Sequence, residues 1–352
     1  MTAHIHAIGT AVPDFDIHHS FIDWAADRLG DRERALFRRM AGRSGIDHRH
    51  SILPRAPDGG SPIDRGGFYG GATPPTSARR AAYARAAPEL ALAAVADLAT
   101  RTSIDGITHL VVASCTGFVA PGIDQIIARR LGLDGSVQRT LVGFMGCYAA
   151  VAALRVAHHI ARSDGHARIL VVTVELCSLH MQDTPAIESL LAQLQFADGA
   201  AAALVGAQPE GLAIDRFFAA TLPDSDDLIQ WTIGDTGFVM HLSGEVPARI
   251  AQALETPALR RAILGNRAAR DMPSWAVHAG GRSILDAVEQ GLGLGGAALD
   301  ASRQVLRRFG NMSSATLMFV LAAQMAAPAP VDGIAVAFGP GLAAEGFAMA
   351  SV

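Results

Sequence analysis

Two stretches of this chain, His109-Leu110-Val111-Val112-Ala113-Ser114 and Ile169-Leu170-Val171-Val172-Thr173-Val174, run apolar almost without a break. A strand of that kind is buried on both faces, and it needs helices above and below it. Alanine-rich helical segments supply that cover: one near Gly122 to Leu131, another running from Tyr148 to Arg155 just after Cys147. The alternation sets the class as α/β. With 352 residues, 50% of them hydrophobic and only 18% charged, the chain has enough apolar material for a large core.

Composition then removes whole function classes. A net charge of -4 gives no electrostatic reason to expect nucleic-acid binding. There is no lysine at all, so all 29 basic residues are arginine. That excludes a lysine Schiff base, pyridoxal phosphate attachment and a Walker A lysine, and leaves arginine or backbone to grip any phosphate. The three cysteines, Cys115, Cys147 and Cys177, form no C-x-x-C pair and no disulfide framework. The cytoplasm is the expected compartment. The stretch Met1 to Thr10 lacks the pattern of a secretory leader, and no apolar run of about 20 residues predicts a membrane span.

The Gly-, Pro- and Ser-rich segment from Gly59 to Thr76 reads as an ordered excursion or a flexible surface loop. A seam is expected near Ala207-Gln208-Pro209-Glu210-Gly211, dividing the chain into halves 1–208 and 209–352. Each half holds an apolar helix opened by a glycine and a polar residue, Gly146-Cys147 in the first and Gly310-Asn311 in the second. Two related halves packed face to face would aim both helix openings at one pocket.

Cys147 is the candidate nucleophile, because a helix N-terminus favours thiolate over thiol. A buried structural cysteine is the plainer reading, and it suits Cys115 and Cys177 better, since both follow strand runs. His278 ends the apolar run Trp275-Ala276-Val277 and precedes Ala279-Gly280-Gly281, where backbone or ligand can approach closely. Asn311 is either a helix cap or a neutral N–H donor suited to a carbonyl oxygen that becomes negative. No fixed spacing makes the three specific by themselves.

The wider wording does. Gly310-Asn311-Met312-Ser313-Ser314-Ala315, Phe338-Gly339-Pro340-Gly341-Leu342, Phe196-Ala197-Asp198-Gly199, Ala7-Ile8-Gly9-Thr10-Ala11-Val12-Pro13 and Gly146-Cys147-Tyr148-Ala149 together resemble the type III polyketide synthases of the chalcone and stilbene synthase-like family. The resemblance implies a thiolase-like fold of five layers, α-β-α-β-α, built from two related halves and working as a homodimer. It implies an acyltransferase that loads an acyl-CoA starter on Cys147 and extends it by decarboxylative Claisen condensation with malonyl-CoA. His278 and Asn311 would steady the enolate and oxyanion, with no cofactor and no metal. Phe196 takes the place of the gatekeeper, and Met240 stands where the family has a second gatekeeper phenylalanine. Cys115, Thr116, Ala120, Cys177, His180, Trp231, Ser313, Gly339 and Pro340 would line the substrate pocket. Arg43 and Arg49 fall where the family grips CoA phosphates, a task the arginine fork suits; a solvated basic turn would read the same.

Trp231 replaces a small residue and narrows the place for a bulky aromatic starter, whereas Thr116, Ala120 and Cys177 match small residues lining an acyl tunnel in bacterial relatives. An alkylpyrone or alkylresorcinol is the expected product. The rivals are a malonyl-primed synthase making tetrahydroxynaphthalene, with which Cys115 is compatible, and a fatty-acid initiating ketoacyl synthase using an acyl carrier protein.

Overall fold

A computed structural model describes residues 2–352. Its centre is a mixed nine-stranded sheet in the order Ser274–Val277, Asp332–Gly339, Ala343–Ser351, Leu212–Thr221, Ala3–Ala11, Asp198–Gly206, Ile169–Leu176, His109–Ser114, Gln138–Gly143. The two apolar runs of the sequence are neighbours and pair in parallel. The alanine run at 200–205 lies in Asp198–Gly206, which runs antiparallel to strands on both sides. The sheet is continuous only through a short seam, where Ala3, His4 and Ile5 pair with Ile214, Ala213 and Leu212.

The strand period of two sorts the side chains into separate cores. Leu110 and Val112 point into one cluster with the helix Thr76–Ala99, while Val111 and Ala113 point the other way into a central cluster. Ala200 and Ala202 join the outer cluster, and Ala201 and Ala203 the central one. In the second half Ala335 and Ala337 reach the same central cluster, and Ile334 and Val336 an opposite outer one with Val246–Glu255 and Arg282–Leu292. The central cluster holds the helices Ala149–Ser163 and Ser314–Met325. Outer helices, one half of the sheet, the central helix pair, the other half of the sheet and outer helices give five layers.

The segment between Gly59 and Thr76 is ordered rather than loose. Tyr69 N donates to Pro62 O at 2.8 Å, and its hydroxyl donates to Ser178 O at 2.8 Å, tying the excursion to the layer beneath the site.

Candidate active site

Cys147 sits in a single 3-10 turn, Gly146–Tyr148, that feeds the helix Ala149–Ser163. Gly146 makes the turn possible: its φ is +73°, and a Cβ there would lie 2.4 Å from Pro340 Cδ. Only glycine meets both demands. The Gly339-Pro340 loop thereby packs directly on the turn that carries the thiol.

His278 follows the strand Ser274–Val277 and is held by its backbone, its N–H donating to Val336 O at 2.8 Å. The imidazole is buried, and among the described residues neither ring nitrogen has a hydrogen-bond partner. Asn311 is not a helix cap; the helix begins three residues later, at Ser314. A bridge to the first half holds it instead, with Asn311 N donating to Gln195 O at 2.8 Å and Ala197 N to Asn311 O at 2.9 Å. Its Oδ1 accepts from Ser313 N at 2.9 Å, and Nδ2 donates to Gly280 O at 3.2 Å. An amide nitrogen carries two hydrogens, so a second N–H remains for the Cys147 thiol.

These three side chains line one cavity with Cys115, Thr116, Cys177, Phe196, Trp231, Met240, Ser313, Gly339 and Pro340. The cavity and its mouth span about 700 Å³ of space between atoms. Phe196, from the first half, is locked to Asn311, from the second, by the same bridge.

Burial controls the chemistry. It pushes the Cys147 thiol up to about 12, with hydrogen bonds to Ser313 and Asn311 pulling the other way. It drives the His278 imidazole down to about 3. Desolvation thus works against the thiolate that the helix opening favours.

Three residues depart from their expected places. Ala120 is exposed on the single chain, beside Phe118, and does not line this cavity. Arg49 is only 2% exposed, donating from Nε to His18 Nδ1 at 3.0 Å and from Nη1 to the carbonyls of Gln193 and Phe196 at 3.1 and 2.8 Å. It braces the Phe196 turn and cannot reach a CoA phosphate in solvent. His180 lies behind the cavity wall, in a smaller compartment that shares Cys177, Phe196, Trp231 and Met240 with the first. Its ring stacks on Phe238 with centroids 4.2 Å apart. Arg43 is exposed, as phosphate binding requires.

The sequence reading passed over Glu175. This buried carboxylate accepts from Cys115 N at 3.0 Å, Cys115 Sγ at 3.1 Å, Thr116 Oγ1 at 3.0 Å and the Ser314 hydroxyl. Burial raises its pKa against those four donors. Its signal was present: a charged residue in an otherwise apolar strand is a buried polar group that needs partners.

Residues 2–209 match the family model for the N-terminal domain of chalcone and stilbene synthases, and residues 216–352 the model for their C-terminal domain. The chain belongs to the chalcone and stilbene synthase family. It is 35% identical over 249 residues to the alpha-pyrone synthesis polyketide synthase-like Pks18 of Mycobacterium tuberculosis, a match covering 67% of this chain and 63% of that protein. The C-terminal type III polyketide synthase domain of Steely1, a type I/III hybrid from Dictyostelium, superposes with a TM-score of 0.90 at 26% identity, covering 100% of both chains. PKS-I from the brown alga Ectocarpus siliculosus gives a TM-score of 0.87 at 30% identity, covering 100% of this chain and 98% of that one.

Proposed function

We propose that this protein is a type III polyketide synthase, an acyltransferase that joins acyl units by decarboxylative condensation. The carrying observation is that Cys147, His278 and Asn311 converge on one cavity with both imidazole nitrogens unpartnered among the described residues and the Asn311 amide bonded to the Cys147 thiol. A neutral imidazole can accept the thiol proton as Cys147 Sγ attacks the starter thioester, forming the acyl-enzyme and releasing CoA. The extender then binds with its thioester oxygen facing the His278 and Asn311 N–H groups. The bond to its carboxylate breaks, CO2 leaves, and the electron pair becomes an enolate that those donors stabilise. The enolate carbon attacks the acyl carbonyl, forming the new C–C bond and expelling the Cys147 thiolate.

The expected substrates are an acyl-CoA starter and malonyl-CoA, with Arg43 as a phosphate contact. An alkyl starter is supported by Trp231 in the cavity wall, and a pyrone-type product by the alpha-pyrone synthesis for which the Mycobacterium relative is named. The tunnel reading keeps Thr116 and Cys177, without Ala120. A homodimer is supported by the edge strand Gln138–Gly143, exposed along most of its length, and by the exposed Phe118, Leu141 and Phe144 around it. We read 1–208 and 209–352 as its two halves. Among the described residues no helix is long and apolar enough to cross a membrane.

Product profiling with acetyl-, malonyl-, coumaroyl- and straight-chain acyl-CoA starters tests this reading. Turnover of the straight-chain series into pyrones is expected. Efficient turnover of coumaroyl-CoA, or of malonyl-CoA alone, without any from alkyl starters would overturn the starter assignment.

A further inference from the structure

The helix Asp31–Ala41 is covered on one side only. Phe37 and Ala41 are buried, whereas Leu36 and Met40, one turn apart, are 37% and 43% exposed. Helical spacing puts Arg32 and Arg39 on the same face as that apolar pair, and the exposed Arg43 follows one turn later. The other arginines of the helix are engaged, Arg34 with Asp31 and Arg38 with Asp23. Among the described residues, Arg32, Arg39 and Arg43 pair with no carboxylate; the acids of the helix are Asp31, engaged by Arg34, and Glu33 at the edge of the face.

This face adjoins the cavity. Arg282 Nη1 donates to Arg43 O at 3.3 Å, and Arg282 opens the helix Arg282–Leu292 between Gly280 and Ile284, both of which line the cavity. We propose that the Asp31–Ala41 face docks peripherally on an anionic lipid surface. Unpaired guanidiniums flanking protruding apolar side chains match a plane of phosphate headgroups with hydrocarbon beneath it. The apolar pair stands out from a convex helix rather than lining a groove, and a plane receives such a helix without a shaped counterpart. An acidic protein would need one. Docking there would bring the protein to the layer where alkyl thioesters and alkylated pyrones partition; that consequence rests on the alkyl-starter reading, while the docking itself does not.

The test is co-sedimentation of the whole protein with vesicles of phosphatidylcholine alone or with roughly one third phosphatidylglycerol. Binding to the anionic vesicles only, weakened by high salt, is expected. Arg32→Glu with Arg39→Glu should lower partitioning more than about 10-fold. Leu36→Asp with Met40→Asp should lower it as well, and thermal melts should show both variants folded. Equal binding to both vesicle types, or unchanged binding by the Leu36/Met40 variant, would overturn the proposal. So would a charge-reversed variant whose only defect is a raised KM for acyl-CoA, which would assign the arginines to CoA alone. Capture by an acidic acyl carrier protein with no vesicle binding would assign the face to a protein and overturn it too. Because sedimentation reads no turnover, a failed starter assignment leaves the result interpretable.

Discussion

Two buried polar groups line or underlie the same cavity and are treated in opposite ways. Glu175 has four donors aimed at it, whereas among the described residues His278 has no partner at either nitrogen. A satisfied buried group holds its surroundings together, and an unsatisfied one costs free energy that the fold must offset elsewhere. The difference separates a scaffold residue from one kept ready for a substrate.

The largest expected effect is on chemistry. Cys147→Ala should abolish acyl loading, read by peptide mass mapping after incubation with a starter CoA; acylation found on Cys115 or Cys177 instead would remove Cys147 from its role. Asn311→Ala should slow malonyl-CoA decarboxylation by about 10²- to 10³-fold while Cys147 still loads, because only the second step leans on the amide donor. Unchanged CO2 release in that variant would count against the donor pair.

Stability should respond in the reverse sense at the two polar groups. Glu175→Leu strands four donors and should cost several kcal/mol, at roughly 1–3 kcal/mol for each unsatisfied group, seen as a lowered denaturant midpoint. His278→Leu removes a group with nothing to lose, so it should hold or raise stability by about 1 kcal/mol while decarboxylation disappears. If both variants unfold alike, the contrast between the clusters is wrong.

Two pH profiles give finer tests. With the Cys147 thiol pushed up to about 12, the thiolate fraction is small at neutral pH and grows about tenfold per unit, so iodoacetamide alkylation should climb from pH 7 to 10 without a plateau. Cys115 and Cys177, whose thiols burial raises well above their ordinary range, should react more slowly. A plateau below pH 8 would show that the helix opening prevails over burial. Burial also lowers His18 and His278 to about 3 and His180 to about 4. Between those values and about 6.5 the unfolded chain binds protons that the native imidazoles refuse, so stability should fall as pH drops below about 6.5. Asp198, raised to about 6, and Glu175, also raised by burial, work in the opposite direction but are two groups against three. The melting temperature should therefore decline from pH 7 to 5, and a flat profile would contradict the neutral, buried histidines.

The strands at 109–114 and 169–176 were legible because a two-faced apolar run has few other homes. Cys147, His278 and Asn311 were legible from glycine-marked wording around them. What escaped were properties set by distant chain. Arg49 sits in a basic turn that reads as solvated, and only the fold shows it buried against Gln193 and Phe196. Ala120 is small in sequence and exposed in space. The acidity of Cys147 depends on a cavity assembled from both halves, where burial acts against the local signal of a helix end.

The seam at Ala3–Ile5 has a consequence for how the protein is made. The strand Ala3–Ala11 takes both of its neighbours, Asp198–Gly206 and Leu212–Thr221, from far along the chain. At about 5–20 residues per second, a ribosome needs roughly ten to forty seconds to deliver those partners. For that interval a strand destined for the middle of the sheet has two open edges, and nascent chains that meet in that state can pair with each other before they can pair with themselves.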